Sequence, residues 1–317
     1  MSFITQRRML GFKLESTPYS VETLADADFD LCAWEIAYDA DIAMMARKCA
    51  KGNFGKEVSI SGKRKVTISF VLDLQEGADI ATAPTSFKCF QACGMSLTTN
   101  ATLGVHVDLD SDYSNVPATI EVVEKDEGTT ADGVVVRGRG MMGNARLAIN
   151  SIGEPTKAEF EFQGALDAIE KRLYAAMPEP TGFDTAVPDA VMGVTLSAFG
   201  DALTLDKVTI DLGNDVQTYT DPSQVGGVSG AHVVDRNPTV EVDPDLVNID
   251  VQDWFGRWTG NTEGALLMEV GDNTQVSSSS LQVNKAYAPA DREGHVTNTI
   301  SYVILDDDLR ILQGAAA

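Results

Sequence analysis

The feature that most constrains the fold is an alternation of apolar and polar residues that recurs along the chain. Between Val66 and Leu74 every second residue is apolar, and the residues between them are polar except Val71. A period of two places one side of a strand in the core and the other in solvent. Five further segments alternate in the same way: Leu103–Leu109, Ala158–Gln163, Val208–Leu212, Leu266–Val270 and Ile300–Ile304. Half-exposed strands of this kind are typical of antiparallel sheets, so the sequence predicts a mainly-β fold of the sandwich or barrel type.

Two short segments predict helices instead. Ala83–Gly94 has a proline in its first turn and ends on a glycine, which is the usual asymmetry of helix ends. The second segment follows Asp250, a suitable N-cap. Its apolar residues, spaced i, i+3, i+4 and i+7, are Val251, Trp254, Phe255 and Trp258. This spacing gives one apolar stripe, which we expect to pack in the core rather than to form an aromatic ligand cage.

The order of these parts occurs twice. In the first half the parts are the strand from Val66, the first helix and Leu103–Leu109. In the second half they are Thr239–Asp243, the second helix and Ala265–Val270. Between the halves, Met177–Gly182 holds two prolines and a glycine, as linkers do. We predict two tandem β-rich domains, residues 1–177 and 178–317, each with a short flanking α-helix. The alternative is that any two antiparallel β domains share this order.

The chain is strongly acidic, which bears on its partners. It has 47 Asp and Glu residues against 24 Lys and Arg, a formal net charge of -23. Residues 1–175 hold 25 acids and 18 bases, a net of -7, and residues 176–317 hold 22 acids and 6 bases, a net of -16. Such a balance argues against a protein that grips nucleic acid by neutralising phosphates. No apolar stretch has the roughly 20 residues of a membrane helix, so we expect no membrane partner.

Motifs with a chemical role are weak. Gly138–Gly143 matches a dinucleotide fingerprint in its letters, but the residues that follow alternate like a strand, so a hairpin or bulge is the better interpretation. Asp108–Asp112 resembles the start of a calcium loop but lacks its later glycine and glutamate. Only four cysteines and three scattered histidines are available: Cys32, Cys49, Cys89, Cys93, His106, His232 and His295. We therefore expect no catalytic residue, no cofactor and no metal site.

A series of short motifs runs through the first half of the chain. In order they are Lys13–Tyr19, Arg47–Gly55, Ile60–Leu74, Ala83-Pro84, Gln91–Gly94, Thr119–Glu121, Gly138–Gly143, Gly153–Pro155 and Phe160–Gly164. In this order they resemble the tail tube (major tail) proteins of long-tailed bacteriophages. The likeness covers about residues 13–170, and the second half follows only by general pattern. None of these short motifs is catalytic, and their order over a long stretch makes the resemblance.

This resemblance implies a structural virion protein rather than an enzyme. Members of the family form rings of six tube domains that stack into a hollow tube, and the genome leaves the virion through it. Some members carry two domains per chain and form trimers with pseudo-sixfold symmetry, which the apparent duplication favours here, although a hexamer is possible. The implied partners are further copies of the chain, the tape measure and terminator proteins, and phage DNA that passes without specific binding.

The implied location is the virion tail, after assembly in the cytoplasm of the bacterial host. A different phage structural protein on a related β-sandwich is the alternative, namely a terminator, a baseplate-hub or a capsid decoration protein. An enzyme such as a β-barrel hydrolase ranks third.

Two strands are candidates for the wall of the channel. If Ala158–Leu166 and Val296–Ile304 bury their apolar rows, polar side chains point the other way. These lumen candidates are Glu159, Glu161, Gln163, Thr297, Thr299 and Ser301. The row has no lysine or arginine, so it would offer phosphates no cationic partner. The same rows could equally face solvent outside the tube. We further expect Met1–Ser20 or the loop Asp108–Asn115 to reach an adjacent ring.

Overall fold

The computed structural model describes residues 8–45, 59–75, 82–100, 104–109, 116–125, 132–149, 153–180, 182, 191, 194–205, 207–247, 249–271, 274–286, 288–292 and 294–313. Strands account for 62% of the structure and helices for 8%, so the predicted mainly-β class is confirmed.

Twenty strands and two short α-helices lie in these ranges. The strands of the first half are β1 (Arg8–Leu14), β2 (Ala33–Met45), β3 (Ile60–Asp73), β4 (Met95–Asn100), β5 (Gly104–Leu109), β6 (Ala118–Lys125), β7 (Gly133–Ile149) and β8 (Lys157–Arg172). Those of the second half are β9 (Thr195–Ala198), β10 (Asp201–Leu203), β11 (Val208–Asp211), β12 (Asn214–Thr220), β13 (Val228–Arg236), β14 (Thr239–Val242), β15 (Glu263–Val270), β16 (Thr274–Lys285), β17 (Pro289–Arg292), β18 (His295–Asn298), β19 (Ile300–Ile304) and β20 (Arg310–Gln313). Helix α1 (Phe87–Ala92) precedes β4, and helix α2 (Trp254–Thr259) precedes β15.

Eight antiparallel strands form what we call the main sheet, in the order β16-β19-β14-β11-β7-β8-β3-β2. The first four strands belong to the second half of the chain and the last four to the first half. Strands β1 and β6 continue from β7, and β9 and β15 continue from β16. Each half therefore has the same six-strand order: β1-β6-β7-β8-β3-β2 in the first unit (β1–β8 with α1) and β9-β15-β16-β19-β14-β11 in the second unit (β9–β20 with α2).

Strand pairing joins the two units at two places in the described structure. In the main sheet, β11 of the second unit pairs with the C-terminal end of β7, a contact that we call the unit joint. Elsewhere the hairpin β4–β5 of the first unit extends the second unit, because β5 pairs with β20. The second unit has no strands between α2 and β15 and thus no counterpart of this hairpin. The division into domains 1–177 and 178–317 stays a prediction.

The core follows the predicted alternation. Val66, Ile68, Phe70 and Leu72 of β3 are buried, as are Ala158, Phe160 and Phe162 of β8. The rings of Phe70 and Phe160 stack with centroids 5.5 Å apart, and Phe90 of α1 meets Phe160 edge-on at 5.0 Å. One apolar cluster includes side chains of both units. Because the strands expose one face and bury the other, the main sheet has an apolar face toward this core and an opposite polar face.

The prediction for α2 was wrong in part. Trp254 is 5% exposed and packs edge-on against Phe199 and Tyr302, but Phe255 is 49% and Trp258 37% exposed. Two causes explain the difference. Val251 lies before the helix, which has only six residues, so the expected four-residue stripe never forms. In addition, α2 packs mainly against β16, whereas α1 also lies under the hairpin β4–β5.

Two further expectations can be compared with the fold. The glycines of Gly138–Gly143 lie inside β7, where the register with β8 shifts, so they form a bulge as predicted. Gly140 has φ 57°, and a Cβ there would lie 2.6 Å from the Cα of Gly230. Within the segment Met1–Ser20, strand β1 pairs with β6 and buries Leu10 and Phe12 inside the first unit, and a contact of this segment with an adjacent ring stays a prediction. Residues 1–7 and 110–115 lie outside the described residues.

Candidate functional site

The polar face of the main sheet carries the first three lumen candidates. Glu159 and Glu161 are exposed and Gln163 is half-buried, while the residues between them on β8 are buried. The predicted orientation of this row is therefore confirmed. Whether the row lines a channel stays a prediction.

This face is concave where the two units meet. A concavity of about 500 Å³ spans strands β2, β3, β8, β7 and β11. Its lining residues are Glu35, Ser69, Phe70, Val71, Asn144, Arg146, Glu159, Phe160, Glu161 and Asp211. Since four of the ten are carboxylates and one is a cation, the concavity is acidic. Both candidate glutamates of β8 thus line this concavity.

The unit joint contributes a row of alternating charge to this concavity. Asp211 of β11 pairs with Arg146 of β7, and Arg146 pairs with Glu159 of β8. The Arg146 Nη1 to Glu159 Oε2 distance is 3.7 Å. The Asn144 amide donates to Asp211 Oδ1 at 2.8 Å, and its own oxygen accepts from the backbone N–H of Asn214 at 3.1 Å. Side-chain hydrogen bonds therefore stabilise the unit joint in addition to the backbone pairing of β7 with β11.

The register places further charges on the polar face. Its carboxylates are Glu35, Asp39, Asp41, Asp73, Glu159, Glu161, Asp211 and Glu241, and its cations are Lys65, Arg146, Lys157 and Lys285. Eight acids against four bases leave a formal charge of -4 on these residues. The row of lumen candidates itself holds no lysine or arginine, but Lys157 of the same strand β8 and the cations of β3, β7 and β16 share its face.

Three of these cations have a carboxylate nearby. Lys65 lies 3.4 Å from Asp41, Arg146 lies 3.7 Å from Glu159, and Lys157 lies 2.8 Å from Glu154. The hydrogen bond with Glu154 raises the pKa of Lys157, which keeps the ammonium charged at neutral pH. Because carboxylates outnumber cations, the face as a whole repels a polyanion such as duplex DNA.

The second group of lumen candidates is divided by the structure. Ser301 lies on β19 beside Glu241 of β14 and shares the polar face, and Thr299 is half-buried just before β19. Thr297 is buried, and its neighbour Val296 is exposed, the reverse of the expectation. The predicted strand Val296–Ile304 is broken because its first residues form the separate hairpin β17–β18.

Backbone and side-chain hydrogen bonds explain this break. Thr297 bridges to Asp245, and the side chain of Asn298 donates to the carbonyl of Ala286 and accepts from the N–H of Ala288. These bonds rotate residues 295–298 out of the plane of β19. Thr297 therefore points inward and is no longer a lumen candidate.

Within the described ranges no three His, Cys, Asp or Glu side chains come together as a metal site, and no helix is long and apolar enough to cross a membrane. Burial raises the pKa of the Cys89 and Cys93 thiols, so both stay protonated inside the core. Asp108, at the start of the calcium-like motif, is 3.2 Å from His106 Nε2 and 2.6 Å from Arg310 Nε.

Comparison with known proteins gave no match to a protein-family model or to a curated sequence. The likeness to tail tube proteins thus rests on the residues quoted above. Sequence reasoning missed the unit joint, since Arg146 and Asp211 are far apart along the chain and neither belongs to a motif. Only the duplication could have indicated this contact, because two similar units in one chain can pair through their strand edges.

Proposed function

We propose that this protein is the subunit of a ring that stacks into the hollow tail tube of a long-tailed bacteriophage. The observation that carries the proposal is the repeated strand order and the way the repeats meet. The β11 edge of the second unit pairs with the β7 edge of the first. Such a head-to-tail contact uses two different surfaces, so it can be repeated from unit to unit until the sheet closes.

The free edges of the chain match the edges that the unit joint uses. By strand order β2 is the counterpart of β11, and β16 is the counterpart of β7. Among the described residues β2 pairs only with β3, and Val283–Lys285 of β16 pair only with β19. We infer that β2 of one copy pairs with the end of β16 in the next copy. Ring closure would remove both exposed edges, which otherwise favour aggregation.

The number of copies follows from the resemblance and from the repeat. Rings of the tail tube family present six tube domains, and this chain carries two units of equal strand order. Three copies would therefore make a ring with pseudo-sixfold symmetry. The protein would act in the virion tail, together with tape measure and terminator proteins, after assembly in the host cytoplasm.

The polar face would then line the channel. It carries the acidic concavity at the unit joint. With this face turned toward the axis of the closed barrel, Glu159, Glu161, Gln163 and Ser301 would face the passing DNA. An acidic wall repels phosphates and lets a duplex slide without being held.

Electron microscopy of the purified full-length chain tests the proposal. We expect hollow tubes of stacked rings at high protein concentration. Single rings that never stack would favour a terminator, and particles without a ring would overturn both assignments.

The lumen assignment has its own test in phage particles that carry Glu159→Lys with Glu161→Lys. If the face lines the channel, these tubes hold DNA and eject it slowly at low salt, and the defect eases as salt rises. The matched control is Asp215→Lys with Asp235→Lys, two exposed and directly paired positions of the separate hairpin β12–β13. Normal ejection by the first variant at low salt would place the face outside the tube.

A further inference from the structure

Helix α2 packs on a group of aromatic rings in the second unit. The rings of Phe199, Trp254 and Tyr302 contact one another pairwise, with centroids 6.0 to 6.1 Å apart. Arg257 of the same helix places its guanidinium 4.7 Å from the centroid of the Trp254 ring and 5.2 Å from that of Phe199. We call these four residues, together with the polar side chains beside them, the α2 cluster: Phe199, Asp201, Gln252, Trp254, Arg257 and Tyr302.

The corresponding contact of the first unit is made by hydrocarbon rings. By strand order, β19 with Tyr302 is the counterpart of β8 with Phe160. Phe90 of α1 meets Phe160 at 5.0 Å, and Phe87 meets Phe90 at 6.2 Å. These three buried side chains have no polar atom to satisfy. The α2 cluster therefore differs from its counterpart in chemistry, because it brings a hydroxyl, a guanidinium and an amide to the same kind of helix-on-sheet contact.

Three polar atoms of the α2 cluster are buried without a hydrogen-bond partner among the described residues. They are the hydroxyl of Tyr302, Nη1 of Arg257 and Oε1 of Gln252. The other polar atoms of the last two side chains are occupied, since Arg257 Nη2 lies 2.6 Å from Asp201 Oδ2 and Gln252 Nε2 donates to the carbonyl of Ala202 at 3.4 Å. Tyr302 is 0% exposed, so bulk solvent does not reach its hydroxyl. Because buried polar groups in folded proteins are almost always hydrogen-bonded, these three atoms point to a ligand.

The unpaired atoms determine the class of that ligand. Arg257 Nη1 can only donate, Gln252 Oε1 can only accept, and the hydroxyl of Tyr302 can do either. Burial raises the pKa of Tyr302, and Arg257 and Asp201 both act on the hydroxyl electrostatically, so it keeps its proton. An anion would be repelled by Gln252 Oε1 and by Asp201, and a cation would be repelled by the guanidinium. A neutral molecule that both donates and accepts is the class that fits, and water is the smallest such molecule.

We propose that the α2 cluster binds an internal water molecule that accepts a hydrogen bond from Arg257 Nη1, donates one to Gln252 Oε1 and bonds the hydroxyl of Tyr302. Internal waters typically make about three hydrogen bonds to otherwise unpaired buried groups. The water would connect α2 and the residue before it to strand β19. The inference is independent of the proposed function, because it concerns one unit of a single chain.

The sign of a stability change tests the proposal. Tyr302→Phe removes the hydroxyl and keeps the ring. If the hydroxyl bonds the water, the unfolding equilibrium constant of the unassembled full-length chain should rise about fivefold, as expected for one lost hydrogen bond. If the hydroxyl has no partner, its removal relieves a desolvation cost and the constant should fall. The matched control is Tyr219→Phe, which removes the hydroxyl of an exposed ring and should leave the constant unchanged.

A double-mutant cycle tests whether one water serves both side chains. Gln252→Met removes the acceptor and keeps the length of the side chain. If Gln252 and Tyr302 share the water, the double variant should change the unfolding equilibrium constant by less than the product of the two single changes. Independent sites would give the product itself, and that result would overturn the shared water.

A crystal structure of the unmodified full-length chain, at a resolution that shows ordered water, decides the matter even where a variant fails to fold. We expect density for one water at about 2.7–3.2 Å from Arg257 Nη1, Gln252 Oε1 and the hydroxyl of Tyr302. A direct hydrogen bond between any two of these side chains, or a more stable Tyr302→Phe variant, would overturn the proposal. An anion in that density would overturn the assignment of a neutral ligand. Formation of tubes is measured separately, so either result leaves the ring proposal to its own test.

Discussion

Strands of the second unit cover two strand edges of the first unit, but the corresponding surfaces of the second unit have no such cover among the described residues. The second unit supplies β11 to the edge of β7 and β20 to the edge of β5, and α1 lies buried beneath the hairpin β4–β5. In the second unit, the end of β16 has no neighbour on its outer side among the described strands, and α2 exposes two of its aromatic rings.

The difference teaches that an identical strand order does not give identical surroundings. A chain with two units can form the unit joint only once within itself. The edge of β2 and the outer edge at the end of β16 therefore remain without a strand partner among the described residues. Antiparallel sheets rarely leave such edges bare without charges, bulges or a partner. We interpret the open surfaces of the second unit and of β2 as those that other copies cover.

The largest expected effect is on the open edge of β16. Asn284→Pro removes a backbone N–H from this edge and should abolish ring formation, while the chain stays folded. The matched control is Val225→Pro, in an exposed turn outside the main sheet. Sedimentation and electron microscopy measure assembly, and circular dichroism measures folding. Rings of normal yield from the folded Asn284→Pro variant would show that β16 does not form the contact between copies.

The two helices should differ strongly in what their aromatic residues contribute. Phe90→Ala in α1 removes a fully buried ring and should lower the free energy of unfolding by about 3–5 kcal/mol. Trp258→Ala in α2 should lower it by less than about 1 kcal/mol, because surface positions have small effects. Denaturant unfolding of the unassembled chain measures both values. Equal losses for the two variants would mean that α2 is as enclosed as α1.

A smaller effect is expected where α2 is fastened to its unit. Arg257 lies 2.6 Å from Asp201 and places its guanidinium over the rings of Trp254 and Phe199, at 4.7 and 5.2 Å. Arg257→Met keeps the apolar stem but removes the charge. We expect a loss of about 1–2 kcal/mol, since the cation–π contacts and the ion pair are partly shielded from water. An unchanged midpoint in denaturant would contradict this role.

The smallest effect concerns a buried carboxyl of the first unit. Burial raises the pKa of Glu15, although its carboxylate accepts hydrogen bonds from the N–H of Gly140 and the hydroxyl of Thr119. The folded state therefore binds the proton more tightly than the unfolded state, so stability falls as pH rises from about 4.3 through the folded pKa. Glu15→Gln keeps the acceptor and should remove this pH dependence. A stability profile identical to that of the unmodified chain would refute the assignment.

The sequence predicted well whatever depends on local periodicity. The rows on β3 and β8 are confirmed because alternation of apolar and polar residues fixes which face of a strand is buried. The bulge in β7 was also predictable, since glycines inside a strand often mark a bulge.

What the sequence could not predict depends on distant parts of the chain. The exposure of Trp258 follows from a hairpin that the second unit lacks, and the burial of Thr297 follows from hydrogen bonds to Asp245 and around Asn298. Lys65 and Arg146 share the polar face with Glu159 and Glu161 because β3 and β7 are neighbours of β8. Local patterns do not encode these pairings.

The central claim is that copies of the chain repeat the unit joint until the sheet closes. Native mass spectrometry of the smallest assembled particle, with rotational averaging of its electron-microscope images, tests this claim most directly. The account predicts a mass of three chains and six similar densities around one central hole. A ring of six chains, or a stable monomer at assembly concentrations with no closed particle, would contradict it.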